Sequence, residues 1–390
     1  MDPLTFVFLS TTDWDSPQFG ARHGIAQELG RRGHRVLFVE VARALHSLIS
    51  DPAGTRRALK RLGRLREVAP GVIAFTPWPV LPIYYSPLMN AINQRLMAVY
   101  VRYALRKLGW VVDVLWTYWP NSAPILGRLK ERAAVYHCAD DMAAVRYPFV
   151  RQGTIRAMEA RLCASVDVIF ARTPAIADDR ARWNANTVLL AGGIDPVRFD
   201  PVRVSTFPDP LAAIPRPRAG FIGTLDDRWF DEKLIIACAE RLPHVHWVFV
   251  GPVKAHHASL EEMHRLRNVH LLPPCPHHEA PLYIHGFDVG LIPYWLNDYT
   301  RAVAPIKLYE YLAMGKPVVS TPLPYVMREA AHVRLASDAD SFAKAVEEAL
   351  AHPPSDDQRA TWRAVALKYS WGAQVDTIEQ TLAPLLEARA

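Results

Sequence analysis

The run Ala304-Pro305-Ile306-Lys307-Leu308-Tyr309-Glu310 has residue types and spacing suited to an anionic, hydroxylated ligand. Pro305 fits the first position of a helix, where its missing N–H costs no hydrogen bond, and Gly315 fits the cap that would end it. A helix starting there leaves the amides of Val303, Ala304 and Ile306 near its N-terminus. Unpaired donors and partial positive charge at that point favour a diphosphate. Glu310 follows just over one turn on. Its carboxylate can accept hydrogen bonds from two vicinal hydroxyls such as those of a ribose; the competing reading is a helix charge facing solvent. Lys307 lies three residues earlier on the same face, to neutralise phosphate or to pair with Glu310.

A second group of titratable side chains occupies the first half. Asp15, His23, His137, Asp140 and Asp141 fall near the expected ends of strands, where one could act as a general base. His137 and Asp140 are the first choices, against the alternative that His137 is a buried core histidine. Asp140-Asp141 is not a DxD metal motif. His277-His278-Glu279 and His256-His257 read as scattered surface histidines, because no helical i+4 partner completes a metal set.

The elements that must position these groups follow from hydrophobic pattern. The chain has 390 residues, 50% hydrophobic and 22% charged, enough for two globular domains of ordinary size. Strand-like runs at 4–10 and 35–40 flank a helical run at 20–33, a βαβ unit that implies a parallel sheet. No GxGxxG follows the first strand, which argues against a dinucleotide dehydrogenase. Further strands are expected at 72–76, 112–117, 133–137 and 167–171. After proline-rich residues 196–218, a linker by composition, strands recur at 219–223, 246–251, 268–272, 288–292, 317–321 and 332–336. Helices are expected at 231–241, 257–266, 305–314 and 340–351. Two doubly wound α/β domains follow, with ligands at the carboxyl edges of their sheets.

The net charge of +6 favours an anionic partner: a nucleotide, a nucleic acid or an anionic membrane surface. Arg56, Arg57, Lys60, Arg61 and Arg64 recur at helical spacing with Leu59, Leu62 and Leu65 between them. This fits a solvated surface helix or one lying on lipid headgroups. Residues 77–88 hold four prolines among apolar and aromatic residues, an irregular loop that caps the core or meets a lipid or partner. No run is long and apolar enough to span a bilayer, no signal peptide is evident, and the four scattered cysteines form no CxxC pair. A reduced, cytoplasmic protein is expected, peripheral on the inner membrane face if either basic or apolar segment meets lipid.

Several pieces then resemble the group 1, or family 4, glycosyltransferases of GT-B fold. They are Ala304 to Val319 with its Glu310, the strand Phe287-Asp288-Val289-Gly290-Leu291-Ile292-Pro293, and Phe221-Ile222-Gly223-Thr224-Leu225. Val248-Phe249-Val250-Gly251-Pro252, Asn268-Val269-His270-Leu271-Leu272, Gly192-Gly193-Ile194-Asp195 with Phe199, and Tyr369-Ser370-Trp371 complete the series. Tyr136-His137-Cys138-Ala139-Asp140-Asp141 and Trp229-Phe230-Asp231-Glu232 are similar to bacterial teichuronic-acid-type or exopolysaccharide enzymes. The resemblance implies two Rossmann-like domains facing each other across a cleft. An acceptor domain would span 1–200, a linker 201–218, a nucleotide-sugar domain 219–370 and a returning helix 371–390.

It further implies transfer of a sugar from a nucleoside-diphosphate sugar, with uracil the expected base, to a hydroxyl of a cell-surface saccharide or lipid-linked acceptor. Neither cofactor, metal nor nucleic acid is implied. Donor contacts would come from Gly223, Arg228, Lys233, Leu272, Thr300, Arg301, Val303, Ala304, Lys307 and Glu310, with Arg228 the preferred phosphate cation. Trp14, His23 and Trp119 would meet the acceptor, with His137, Asp140 or Asp15 as base. One departure stands out. The family carries a second glutamate eight positions before Glu310, where this chain has Ala302; Asn297, Asp298, Thr300 and Arg301 are the polar candidates to replace it. A nucleotide-sugar 2-epimerase on the same fold, or a non-catalytic nucleotide-binding relative, are the competing functions.

Overall fold

A computed structural model describes residues 2–16, 20–43, 56, 59–81, 86–142, 152–254 and 257–389. The chain divides into two compact units, Met1–Ala191 with Gln374–Ala390, and Gly192–Ala373.

The first unit is built on an eight-stranded sheet. Its strands are β1 (Thr5–Leu9), β2 (Arg35–Val39), β3 (Leu65–Ala69), β4 (Val72–Phe75), β5 (Val114–Thr117), β6 (Ala133–Cys138), β7 (Val168–Ala171) and β8 (Thr187–Leu189). They lie in the order β3-β4-β2-β1-β5-β6-β7-β8, all parallel except the β3–β4 pair. Strand order reverses between β1 and β5. Helices α1 (Ala21–Arg31), α2 (Pro87–Leu108), α3 (Gln152–Cys163) and α4 (Pro174–Ala181) connect them. The inner strands are apolar on both faces because helices cover a parallel sheet from both sides. Phe8, Trp116 and Phe170 stack across three strands with ring centroids 5.2 Å apart at each step.

Two expectations change here. The basic stretch does not run as a helix to Arg66, because Leu65–Ala69 is an edge strand. Arg61 and Arg66 both pair with Asp15, and Arg66 also reaches Glu40 at 3.0 Å, so these cations are not a free basic stripe. Arg57 lies outside the described residues. The proline-rich loop is also shorter than expected. Pro87 opens the 22-residue helix α2 after Ser86, since proline is tolerated in a first turn; residues 82–85 lie outside the described residues.

The second unit carries a six-stranded parallel sheet: β9 (Arg218–Ile222), β10 (His246–Val250), β11 (Val269–Leu272), β12 (Val289–Ile292), β13 (Val318–Ser320) and β14 (Arg334–Leu335). The order is β11-β10-β9-β12-β13-β14, reversing between β9 and β12. Its helices are α5 (Asp209–Ala212), α6 (Glu232–Arg241), α7 (His257–Arg265), α8 (Ala280–Gly286), α9 (Lys307–Ala313), α10 (Ala339–Ala351) and α11 (Asp356–Leu367). The proline-rich stretch folds into this unit, with Leu211 and Ile214 buried. Helix α12 (Trp371–Glu387) begins in the second unit and continues in the first. There Arg32 meets Asp376 and Glu379, each at 2.7 Å, and His34 meets Glu379 at 2.9 Å.

A buried ion pair braces the first unit. Arg180, 2% exposed, holds Glu159, 0% exposed, through both carboxylate oxygens at 2.9 and 3.0 Å, and Tyr136 donates to the same carboxylate at 2.7 Å. Removing one partner strands the other charge. Arg180→Met should lower stability by roughly 3–5 kcal/mol in urea titrations followed by tryptophan fluorescence. Arg180→Met with Glu159→Gln should recover at least half of that loss, because the remaining amide still accepts from Tyr136.

Candidate functional site

The carboxyl edge of the second sheet, where strand order reverses, is the place an open α/β fold offers a ligand. Gly223 follows β9 with φ +142°, a backbone state that favours glycine. A β-carbon there would stand 3.3 Å from Lys307 Nζ. Lys307, the first residue of α9, donates to Tyr294 Oη at 2.7 Å. Its ammonium lies 4.9 Å from the Phe221 ring centroid and 5.2 Å from that of Tyr294. Aromatic faces stabilise a cation without neutralising it. Among the described residues no carboxylate pairs with Lys307, so the expected alternative of a Lys307–Glu310 pair is not what forms.

Helix α9 is fixed by Tyr311. Its ring covers Gly290 of β12, where a β-carbon would meet it at 2.6 Å, and its hydroxyl accepts from the Ile222 amide at 3.2 Å. Glu310 is buried at 6% exposure and does not face solvent. Its Oε1 is 3.2 Å from His277 Nε2. Arg198 Nη1 lies 3.0 Å from His277 Nδ1. An arginine only donates, so Nδ1 accepts, Nε2 bears the proton, and His277 donates to Glu310. Sequence reading placed His277 among surface histidines; its only local signal was its position after the end of β11.

The start of α9 differs from expectation. Ile306 is its N-cap and Pro305 precedes it in a turn, with Leu308 donating to the Pro305 carbonyl at 3.1 Å. The Val303 amide is taken by the Thr300 carbonyl at 3.1 Å. Ala304 is buried. Thr300 is fully buried; its hydroxyl donates to the Trp295 carbonyl and accepts from the Asn297 amide at 3.0 Å. Asn297 donates to the Arg228 carbonyl at 3.0 Å. Asp298 and Arg301 are exposed.

Arg228 is engaged rather than free. Its Nε and Nη2 hold both Asp226 oxygens at 2.8 and 2.7 Å, and its guanidinium lies 4.8 Å from the Trp229 ring centroid. Burial pushes the Asp226 carboxyl up, but the Arg228 hydrogen bonds outweigh it and hold the group below the usual range. Lys233 is exposed in the first turn of α6, and Leu272 ends β11 with its carbonyl accepting from Gly251 at 3.3 Å.

The first unit has its own reversal point, between β1 and β5, and a cavity of about 470 Å³ lies there. Leu9, Val39, Val80, Met97 and Trp119 make much of its wall apolar, while Asn90, Asn93 and Asn121 supply amides. Asn90 and Asn121 bond one another, with Asn121 Nδ2 donating at 3.0 Å. Trp119 donates to the Ser10 carbonyl at 2.8 Å. The asparagines escaped sequence reading because α2 itself did.

The other acceptor-side residues are less available. His23 is 1% exposed; its Nδ1 accepts from the Gly20 amide at 3.4 Å, and its ring stacks on Phe38. Trp14 packs on His23 and Phe38 with centroids 5.2 and 5.0 Å away. Asp15 pairs with Arg61 and Arg66, and Asp140, largely exposed, stands 3.8 Å from Arg172. His137 is a core residue at 2% exposure, packed against Trp116 and Tyr118, and its Nδ1 has no hydrogen-bond partner among the described residues. Burial, then the Arg172 and Arg22 charges, push its pKa down to about 3. A group so hard to protonate is a weak base at neutral pH.

Comparison with known proteins finds a family likeness in the second unit. Residues 216–352 match the model of the glycosyl transferases group 1 family. That segment resembles the group 1 glycosyl transferases, and the match does not extend beyond it. TuaH of Bacillus subtilis, named as a teichuronic acid biosynthesis glycosyltransferase, is 41% identical over 106 residues, 27% of this chain and 26% of that protein. The match therefore spans about a quarter of the curated relative's length.

Solved structures extend the likeness to the whole chain. Sucrose-phosphate synthase from Thermosynechococcus elongatus superposes with a TM-score of 0.69 at 14% identity, over 99% of this chain and 100% of that one. Anabaena HepE, in complex with UDP and glucose, gives 0.64 at 16% identity over 97% and 99%. The catalytic domain of starch synthase IV from Arabidopsis thaliana, bound to ADP and acarbose, gives 0.66 at 11% over 99% and 100%. The fold is GT-B, with two Rossmann-like α/β units.

Within this GT-B chain two buried histidines of the first unit, His23 and His137, carry a pH signature. Burial first, then Arg22, push His23 down to about 4, and His137 lies near 3. Between pH 6.5 and 4 the unfolded chain binds protons that the folded chain refuses. Stability is therefore fully present above pH 6.5 and falls as pH drops, by up to ~1.4 kcal/mol per pH unit for each group. Thermal melts from pH 7 to 4 should show this decline. His137→Leu, which removes a titrating group with an orphaned nitrogen, should flatten the slope and change little at pH 7.

Proposed function

We propose that this chain transfers a sugar from a nucleoside-diphosphate sugar to a hydroxyl of a saccharide or lipid-linked acceptor. The convergence of Gly223, Lys307 and Glu310 at the reversal point of the second sheet carries this reading. Gly223 lets a diphosphate approach the backbone. Lys307, half-buried and without a carboxylate partner among the described residues, offsets the charge that gathers on the leaving phosphate as the bond from the anomeric carbon breaks. The acceptor oxygen forms the new bond and gives up its proton. Glu310, aimed by His277, takes the ribose hydroxyls. The cavity at the first sheet's edge, with its apolar wall and asparagine amides, is a fitting acceptor pocket. UDP in the complex of Anabaena HepE supports uracil as the base. Charge on the leaving group is met by side chains in this reading, without a metal.

Lys307 takes the phosphate role expected of Arg228, since Asp226 already neutralises the arginine. Ala302, where the family has a glutamate, marks an altered sugar end; Asp298 and Arg301 are the exposed polar groups near it. The same substitution motivates a non-catalytic reading, in which the chain binds nucleotide and turns over no donor–acceptor pair.

The decisive experiment is thermal shift and transfer assay with nucleotide sugars, in the presence of chelator. Glu310→Ala should abolish transfer and weaken UDP binding by roughly tenfold to a hundredfold, the worth of hydrogen bonds to a charged group. Unchanged transfer would remove the assignment. Lys307→Met should lower kcat by about a hundredfold or more, and Arg228→Gln by much less. His277→Ala should weaken UDP binding about tenfold, with His277→Gln restoring it by donating in place of Nε2. Hydrolysed or epimerised donor without acceptor would point to the epimerase instead.

A further inference from the structure

Helix α2 has two working faces. One side packs on the core and lines the edge cavity with Asn90, Asn93, Gln94 and Met97. On the other side, Leu88, Ile92, Arg95, Val99, Arg102, Tyr103 and Arg106 recur at three- and four-residue spacing, one stripe of an α-helix. Leu88 is 66% exposed, Val99 50% and Tyr103 39%. An ordinary surface helix turns such side chains inward and puts charges of both signs outside.

The charges are one-sided. Arg95, Arg102, Arg106 and Lys107 are all exposed, and none pairs with a carboxylate among the described residues. Other arginines of the same unit do pair: Arg31, Arg32, Arg61, Arg66 and Arg132 each meet an acid. The reason is compositional, since no Asp or Glu occurs between Glu67 and Asp113. The apolar stripe continues past the helix end at Val111, 79% exposed.

We infer that this face of α2 seats the first unit on an anionic lipid bilayer. Cations interleaved with exposed apolar side chains complement a surface that is negative at its headgroups and apolar just beneath. A polyanion such as nucleic acid would match the arginines and leave Leu88, Val99 and Val111 in water. No helix among the described residues is long and apolar enough to cross a membrane, so contact through a helix lying in the interface is the mode the element allows. The attachment does not rest on the transferase reading. If that reading holds, the cavity on the opposite side of α2 is close to the lipid that would carry an acceptor.

The test is co-sedimentation of the full chain with vesicles of phosphatidylcholine alone or mixed with phosphatidylglycerol. Binding should require phosphatidylglycerol and weaken with salt. Each arginine near the surface is worth roughly fivefold in partition. Arg95→Gln, Arg102→Gln and Arg106→Gln together should reduce binding about a hundredfold, and Leu88→Ser with Val99→Ser at least tenfold. The UDP-induced thermal shift of these variants should match the parent. An environment-sensitive dye on Val99→Cys should shift to the blue on anionic vesicles, and the same dye on Val202→Cys, in the second unit and 91% exposed, should not. Absence of vesicle binding at low salt, or binding undiminished in both variants, overturns the inference. So does variant-sensitive binding to DNA or heparin, or self-association, without vesicle binding. Vesicle binding without any nucleotide response would keep this inference and remove the transferase reading.

Discussion

A lysine ammonium seated between two aromatic rings, with no carboxylate partner among the described residues, is the interaction on which the second unit's chemistry depends. Lys307 is held by Tyr294, which follows β12, and faced by Phe221 of β9. The seat exists because strand order reverses there and the loops diverge. It stays open because Gly223 has no side chain to fill it. The loop carrying Arg228 is zipped onto the loop after β12, with the Trp295 amide donating to the Trp229 carbonyl at 2.8 Å. The charge is thus fixed by rings, backbone and a helix, and not by a counter-ion that an incoming phosphate would have to displace.

Much of this was legible in the residues. The alternation of apolar strands with helical runs declared two parallel sheets, because a strand buried on both faces has to be apolar throughout. Pro305, Lys307, Glu310 and Gly315 declared a helix at a sheet edge. What the pattern could not convey was partnership. Arg228 and Lys307 are both basic residues near one turn; only Asp226, two residues from Arg228, separates a neutralised cation from an available one. Glu310 could have faced water or a ligand, and the histidine that settles its orientation is 33 positions away.

Burial decides between the readings the sequence left open for the histidines of the first unit. His137 sits near the carboxyl end of β6, yet it packs against Trp116 and Tyr118, where protonation is opposed by lost hydration and by two arginines. His23 is drawn inward to cap the start of α1. A strand-end histidine is a candidate base only if water or substrate can solvate its charged form, and nothing in a linear spacing reports that.

Helix α2 escaped notice for the opposite reason. Its outer face mixes apolar side chains with arginines, its inner face carries asparagines, and the two together blur the period that marks a helix. Asn90 and Asn93 are held by Asn121 and by the Leu81 backbone, so the buried face is satisfied without apolar residues at those positions. The exposed face has no such account among the described residues. Side chains that raise helix polarity would have served solubility at no structural expense, and the run from Glu67 to Asp113 contains no acid to temper the arginines. Folding alone does not ask for that combination, which makes an external apolar, anionic surface the constraint that best explains why the helix is written this way.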